Sequence, residues 1–401
     1  MPRTRYRLAV VAVVAFAAVS AIRFVGGTQA ATGERERQSA PAETATATPA
    51  DPPVVSLGAD PSGTVAADRP LQVSVADGTL TDVAVEDGQG QALLGDMATD
   101  GLGWRSSQPL VPQTAYTVRV SAVGVDQRPF EQTLAVTSSA ASAVLHATLS
   151  PGDGEVVGVG MPAVVTFDRP VAAADRQAVE NRLSVSTNPP VEGAWRWITP
   201  ARIHWRPATY WQPGTEVGLR SDLRGLRVGE AWGADERTVH FRIGDAHVTT
   251  IDVATHQMTV TDNGQVVRVI PASTGRDRYP TANGVHLALE KSRQVTMDSS
   301  TVGIPRNSPG GYYRKVAWAT RLSYSGTYVH AAPWSVGAQG ERNVSHGCVN
   351  VSTADAEWFY NFTRRGDVVD VVNSPAPPKL TDPGMADWNI PWEKWKAGDT
   401  A

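Results

Sequence analysis

Pro70-Leu-Gln-Val-Ser-Val75 alternates apolar and polar residues, the period of two that turns one face of a β-strand to a core and the other to water. A second copy, Pro162-Ala-Val-Val-Thr-Phe167, follows at a displacement of 92 residues. Trp104-Arg105, Pro112, Thr114 and Arg119 recur as Trp205-Arg206, Pro213, Thr215 and Arg220, each displaced by 101. That spacing is near the length of one immunoglobulin-like sandwich. The difference between the two displacements predicts an insertion in the second copy, at about 172–188. Further alternating runs, Tyr116-Thr-Val-Arg-Val120 and Thr238-Val-His-Phe-Arg-Ile243 among them, are separated by turn residues. Residues 54–143 and 144–247 therefore read as two β-sandwich domains.

From residue 248 the texture changes. Met258-Thr-Val-Thr-Asp262 and Gln265-Val-Val-Arg-Val-Ile270 flank Asn263-Gly264, the dipeptide of a type I′ hairpin. One helix is predicted, with Ser352 as N-cap and Asp355 at N3, running through Ala356, Phe359, Tyr360 and Phe362 until Gly366 stops it. Residues 368–372 then read as a strand. This third domain spans 248–373, and the Pro-rich tail at 374–401 carries Trp388, Trp392 and Trp395. Three indoles are costly to leave in water, so the tail is expected to pack back on the third domain as a strap.

The 401 residues include 36 Gly and 28 Pro with 41% hydrophobic side chains, which fits a folded, turn-rich, mainly β chain and no coiled coil. A net charge of -4 provides no basic field for nucleic acid. Arg3, Arg5 and Arg7 lead into an apolar run at 8–22, the pattern of an export signal. Residues 1–30 are read as a signal-anchor retained in the membrane, the alternative being cleavage after Ala30. The positive-inside rule then places the rest of the chain outside, secreted or anchored and facing the periplasm or cell wall. Residues 31–53, rich in Ala, Thr and Pro, read as a disordered tether.

Cys348 is the only cysteine, so no internal disulfide and no Cys-rich metal site can form. It lies in Tyr328-Val-His-Ala-Ala-Pro-Trp-Ser-Val-Gly-Ala-Gln-Gly-Glu-Arg-Asn-Val-Ser-His-Gly-Cys-Val-Asn350, a segment too polar for core. A thiol nucleophile needs a base, a group that fixes the base and donors for an oxyanion. His330 can return to Cys348 through a loop, and the small Gly347 leaves the N–H groups of 347 and 348 free to face an oxyanion. The bland alternative is an inert buried thiol. A metal held by His330, His346 and Cys348 is disfavoured because neighbouring side chains at this spacing fit one tetrahedral ion poorly. His146, His204, His240, His247, His256 and His286 read as structural. No Ser-x-x-Lys, Gly-x-Ser-x-Gly or His-Glu-x-x-His motif occurs, which leaves cysteine acyl transfer.

His330 with Ser345-His-Gly-Cys-Val-Asn350 resembles the His...Ser-His-Gly-Cys-x-Asn signature of the L,D-transpeptidases with the YkuD-type catalytic fold. Ser325-Gly326, Ala332-Pro-Trp-Ser-Val-Gly-Ala-Gln-Gly340 and Trp388-Asn-Ile-Pro-Trp392 extend the resemblance to the mycobacterial and actinobacterial members with two immunoglobulin-like domains. It implies a mainly β fold of two such sandwiches, a YkuD-type β-sandwich with one main helix and a Trp-rich strap. The implied enzyme forms 3→3 links between meso-diaminopimelate residues of peptidoglycan, using tetrapeptide stems as donor and acceptor.

In that reading Cys348 attacks the third residue's carbonyl, expels D-Ala and forms a thioester, while His330 moves the proton and the carbonyl of residue 331 orients its ring. Here residue 331 is Ala where close relatives have Ser, a change that spares a backbone contact. His346, Gly347 and Asn350 complete the cysteine loop, and Tyr312, Ser325, Gly326, Met297 and Trp334 match substrate-cleft positions. Carbapenems are the implied covalent inhibitors. Some relatives hold calcium in the second sandwich, but Leu226-Arg-Val-Gly-Glu230 lacks most of the carboxylates, so no metal and no cofactor are expected. The alternatives are a cysteine endopeptidase or amidase of the wall and a non-catalytic wall-binding spacer. Finally, the two sandwiches are expected to be spacers, so that a chain starting near Asp245 would keep most of the activity.

Overall fold

The first sandwich pairs two four-stranded sheets. One runs in the order Val54–Ser56, Pro70–Ala76, Gly103–Pro109 and Gly95–Met97; the other in the order Thr64–Val65, Pro129–Ser138, Ala115–Gly124 and Gly78–Asp87. The second sandwich repeats this topology strand for strand. Its sheets run Ala147–Ser150, Ala163–Phe167, Arg202–Pro207 and Gly193–Thr199, then Val156–Val157, Glu236–Ile243, Glu216–Asp222 and Leu183–Asn188. The repeat has a packing reason. Trp104 and Trp205 are both buried, and each indole lies over a glycine of the neighbouring strand, where a Cβ would sit 2.2 Å from the Trp104 ring at Gly95 and 2.0 Å from the Trp205 ring at Gly193. The predicted insertion is a 3-10 turn, Ala173–Asp175, a short helix, Arg176–Glu180, and the strand that follows. This computed structural model describes residues 51–60, 62–380 and 386–398. The signal-anchor and nearly all of the tether therefore lie outside the described residues, among which no helix is long and apolar enough to cross a membrane.

In the third domain a five-stranded sheet runs in the order Gln265–Pro271, Gln257–Asp262, His247–Asp252, Val368–Val372 and Gly284–Leu287. A four-stranded sheet runs Lys291–Asp298, Tyr313–Arg321, Tyr328–Ala331 and Val349–Val351. Asn263 and Gly264 have φ of 48° and 82°, the left-handed pair that a type I′ turn requires. The helix Thr353–Phe362 begins as its sequence predicts, with Ser352 Oγ accepting the Asp355 N–H. It ends at Phe362, one turn before Gly366, because Thr363 Oγ1 donates to the Phe359 carbonyl and its backbone turns extended. Ala356 and Phe359 bury into a core with Val329, Val349 and Val351, of the strand that carries His330 and the strand that follows Cys348.

The tail departs from expectation. Part of it does meet the third domain, where Asn389 exchanges hydrogen bonds with both backbone groups of Val285. Its tryptophans, however, dock on the second sandwich. Trp388 donates to the Gly160 carbonyl, Trp395 donates to the Ala194 carbonyl and is fully buried, and Trp388 meets Tyr210 edge-on at 4.6 Å. Buried Arg206 lies 4.5 Å from the rings of both Trp388 and Trp395 and donates to the Ile390 carbonyl, while His204 and Asp387, both buried, bond at 2.8 Å. Burial lowers the Arg206 guanidinium to about 10. The sequence pattern showed that the indoles had to be covered but not by which surface. The sandwich also shares its core with the third domain: Leu287, Leu289 and Val368 pack in one cluster with Val157, Met161 and Phe241. Gly158 and Gly160 donate to the carbonyls of Arg365 and Gly366. A chain starting near Asp245 would lose that cover, so the second sandwich is more than a spacer in the packing of the third domain.

Candidate active site

The strands Tyr328–Ala331 and Val349–Val351 are parallel neighbours, with His330 opposite Asn350. Cys348, immediately before its strand, is thereby brought beside the histidine strand, and both residues line one cavity of about 470 Å³. The turn that presents Cys348 is held from several sides. Ser345 Oγ donates to the Cys348 carbonyl at 2.6 Å, Thr281 Oγ1 donates to the Gly347 carbonyl at 2.9 Å, and Gly347 has φ of 118°, a left-handed conformation that favours glycine. The Gly347 N–H donates to Ser345 Oγ at 3.0 Å. That corrects the expectation that the 347 N–H is free for an oxyanion: the turn itself uses it.

The two histidines are distinguished by their partners. His330 is buried, and its Nδ1 lies 3.0 Å from the Ala331 carbonyl, which can only accept, so Nδ1 carries the hydrogen and Nε2 keeps its lone pair. Burial lowers its pKa, with the Ala331 carbonyl opposing and Arg314 adding to the effect. His346 is placed differently. Its Nε2 lies 2.6 Å from Arg276 Nη2 and accepts that bond, since a guanidinium only donates. Its ring lies between Tyr279 and Tyr312, and its pKa is lowered by burial and then by Arg276. With Nε2 occupied, His346 serves to shape the loop, and His330 is the histidine equipped to accept a proton.

As a residue Cys348 is only half-buried, yet its sulfur is enclosed enough that burial pushes the thiol up to about 11. The sulfur lies 3.6 Å from the Gly326 carbonyl. Burial thus disfavours the charged form of both the thiol and the imidazole.

Met297, Tyr312, Trp334 and Asn350 line the cavity with Cys348, His330 and His346. Asn350 is buried, donates through Nδ2 to Ser335 Oγ at 3.1 Å, and leaves Oδ1 without a hydrogen-bond partner among the described residues. Trp334 is 47% exposed, so this indole remains available for contact at the cavity mouth. Tyr312 has its phenol pKa raised, by burial first and by the Cys348 charge second, and stays a donor near neutral pH. Ser325, Gly326, Ala331 and Gly347 are not cavity-lining. Ser325 accepts from Lys379 at 2.9 Å, Gly326 meets the sulfur through its carbonyl, Ala331 supplies the carbonyl to His330, and Gly347 shapes the turn.

Sequence reasoning missed Arg276, Arg314, Ser335 and Arg342. All four lie on segments whose local pattern looks like an ordinary strand or loop, and only Ser335 and Arg342 fell inside the quoted segment. Five of the other six histidines have hydrogen-bond partners, His146 with Asp235, His204 with Asp387, His247 with Asp367, His256 with Asn343 and His286 with the Ala282 carbonyl, while His240 is exposed with Nδ1 3.8 Å from Asp153.

Comparison with known proteins agrees with this geometry. Residues 62–227 match the bacterial Ig domain family, and residues 246–371 match the L,D-transpeptidase catalytic domain. L,D-transpeptidase 2 of Mycobacterium tuberculosis (strain CDC 1551 / Oshkosh) is 44% identical over 336 residues, covering 84% of this chain and 82% of that protein. The chain belongs to the L,D-transpeptidase family. L,D-transpeptidase 5 of M. tuberculosis (strain ATCC 25618 / H37Rv) is 34% identical over 345 residues, covering 84% of this chain and 74% of that protein. A solved LD transpeptidase in complex with imipenem is 41% identical, with a TM-score of 0.51, and covers 57% of this chain and 99% of that one. This L,D-transpeptidase is thus an acyltransferase enzyme whose matched catalytic domain contains the cavity, Cys348 and His330.

Proposed function

We propose that the enzyme forms 3→3 cross-links in peptidoglycan through a thioester on Cys348, acting outside the cell on a membrane anchor formed by residues 1–30. The observation that carries this reading is a single cavity lined by Cys348 and by a His330 whose Nδ1 is committed to the Ala331 carbonyl. In the first half-reaction His330 Nε2 takes the thiol proton as sulfur attacks the carbonyl of the third residue of a tetrapeptide stem. The carbon–nitrogen bond to D-Ala then breaks, the His330 proton goes to the leaving amine, and a thioester remains. In the second half-reaction the side-chain amine of an acceptor stem attacks the thioester. Its proton passes through His330 to the departing sulfur, which restores the thiol. Because the Gly347 N–H is engaged, the oxyanion falls to the Cys348 N–H and the protonated Tyr312 phenol.

The same thiol opens a strained β-lactam, and a relative of known structure is a complex with imipenem, which supports extending carbapenem acylation to this chain. The ectodomain incubated with a disaccharide-tetrapeptide is expected to yield a cross-linked dimer and free D-Ala, read by mass spectrometry. Cys348→Ala is expected to yield neither and to take up no carbapenem, while His330→Ala should be acylated slowly. Tripeptide and free D-Ala without dimer would make the enzyme a hydrolase of wall peptides, with water in place of the acceptor amine. Acylation of Cys348→Ala at the wild-type rate would remove the nucleophile assignment.

A further inference from the structure

The tail at 374–380 reaches two of the supports that hold the cysteine. Ser374 Oγ donates to the carbonyl of Thr281, the residue whose hydroxyl holds the Gly347 carbonyl, and the Asn283 N–H donates to the Ala376 carbonyl at 3.1 Å. Farther along, Lys379 Nζ donates to Ser325 Oγ at 2.9 Å. Ser325 lies in the turn between the strands Tyr313–Arg321 and Tyr328–Ala331, and the next residue, Gly326, presents its carbonyl 3.6 Å from the Cys348 sulfur. The ladder between those strands ends at Arg321 and Tyr328, so the turn depends on bonds of its own. The Thr327 N–H donates to the buried Ser323 Oγ at 3.0 Å, and the Ser323 and Ser325 hydroxyls bond at 3.0 Å. Arg321 braces the turn from within the hairpin, through the carbonyls of Ser323 and Tyr324. Lys379 braces it from outside, on the exposed side that carries Ser325.

We propose that Lys379 is a positioning residue for the nucleophile: through Ser325 it holds the Gly326 carbonyl against the Cys348 sulfur and so fixes how the thiol faces the cavity. The proposal rests on Cys348 as the nucleophile of the reaction above. A carbonyl oxygen only accepts, so the contact is made by the S–H of the neutral thiol. The sulfur's other backbone contact is the Tyr328 N–H, which favours the thiolate. Tyr328 is kept in place by its pairing with Arg321, whereas Gly326 lies in the unpaired turn. Loosening the turn therefore acts on the acceptor and spares the donor. The neutral thiol loses support, and the sulfur gains freedom to turn away from the attacking direction. The bland role for Lys379, an exposed residue tacking the tail to the surface, predicts neither change.

The experiment uses the full-length enzyme carrying Lys379→Met, Lys379→Arg, Ser325→Ala, or Ser325→Ala with Lys379→Met, after unfolding curves show that the variants fold. Lys396→Met is the control, because Lys396 lies in the same tail and pairs with Glu393 instead. Two quantities are read: kcat and KM for D-Ala release from a disaccharide-tetrapeptide, and the rate at which iodoacetamide alkylates the single thiol. Lys379→Met is expected to lower kcat about fivefold at unchanged KM. It should also speed alkylation about threefold at about pH 8, where little of the thiol is ionised. Lys379→Arg keeps the donor and should behave as wild type, as should Lys396→Met. Ser325→Ala should show the same two changes, and adding Lys379→Met to it should change nothing further. An unaltered kcat and alkylation rate in Lys379→Met, or full additivity in the double variant, overturns the proposal. Slower alkylation in Lys379→Met with Ser325→Ala as wild type also overturns it, since that is the mark of a positive charge acting through space. Absence of D-Ala release from the wild type would remove the function proposed above. An alkylation change that appears in Lys379→Met and vanishes in the Ser325→Ala background would still support the positioning role.

Discussion

Cys348 combines the position of a nucleophile with a thiol pushed up to about 11, and the two are compatible when proton transfer waits for a substrate to approach. A preformed thiolate–imidazolium pair would need the opposite shifts, a thiol pulled down and His330 pulled up. Burial moves both the other way, and the Ala331 carbonyl fixes the neutral tautomer without enough stabilisation to charge the ring. The sign sets a test. Relative to an ordinary thiol at 9.0, a value near 11 leaves about a hundredfold less thiolate at pH 8. Alkylation of the single thiol by iodoacetamide in the folded enzyme is expected to rise about tenfold per pH unit through pH 10, where an unfolded control levels off. A plateau reached below pH 8 would mean that the resting enzyme holds an ion pair. The same raised value makes the folded state lose stability as pH rises from the unfolded thiol value through about 11.

Among elements, the two sandwiches give the sharpest link from a residue pattern to packing. The repeated Trp-Arg pairs were visible in the sequence, but the partner each tryptophan needs was not, because Gly95 and Gly193 are 98 apart rather than 101. Register across the sheet decides that contact: Trp205 faces Trp195 and Trp104 faces Met97, and each indole then reaches along the neighbouring strand to its glycine. Gly193→Ala would place a methyl 2.0 Å from the Trp205 ring against backbone-anchored strands. It is expected to destabilise the second sandwich by about 1–3 kcal/mol, seen as a lower urea midpoint at unchanged m-value. An unaltered midpoint would mean that the indole can move aside, and the repeat would owe nothing to this contact. The cysteine turn follows the same logic on a smaller scale, since Ser345, Thr281 and Gly347 hold it through backbone bonds that no spacing rule encodes.

Across the whole molecule, the second sandwich, the catalytic domain and the strap are joined by one buried seam. Trp395 is fully buried against Ala194, and Arg206 is enclosed by indoles from the strap. Trp395→Ala is expected to cost about 3–5 kcal/mol, measured by thermal or chemical unfolding of the ectodomain, with a smaller loss for the half-buried Trp392→Ala. A chain beginning near Asp245 should unfold at lower temperature than the ectodomain, because Leu287, Leu289 and Val368 lose their neighbours. Equal stability of the short and long chains would restore the sandwiches to the role of pure spacers.

The sequence by itself determined the repeat, the hairpin at Asn263-Gly264, the capped helix at Ser352 and the pairing of one cysteine with one histidine, because each of these is written in local spacing or in a motif confined to a short segment. Asn350 was visible too, though its burial against Ser335 was not. What only the tertiary structure decided are the contacts between segments far apart in the chain. It gave the two histidines their partners, Arg276 on His346 and the Ala331 carbonyl on His330. It brought Arg314 and Arg342 to the same cavity, and it sent the tryptophans of the strap to the second sandwich. Periodicity reports which side chains must be covered, whereas the covering surface is set by how sheets twist and pack, a property of the assembled layers.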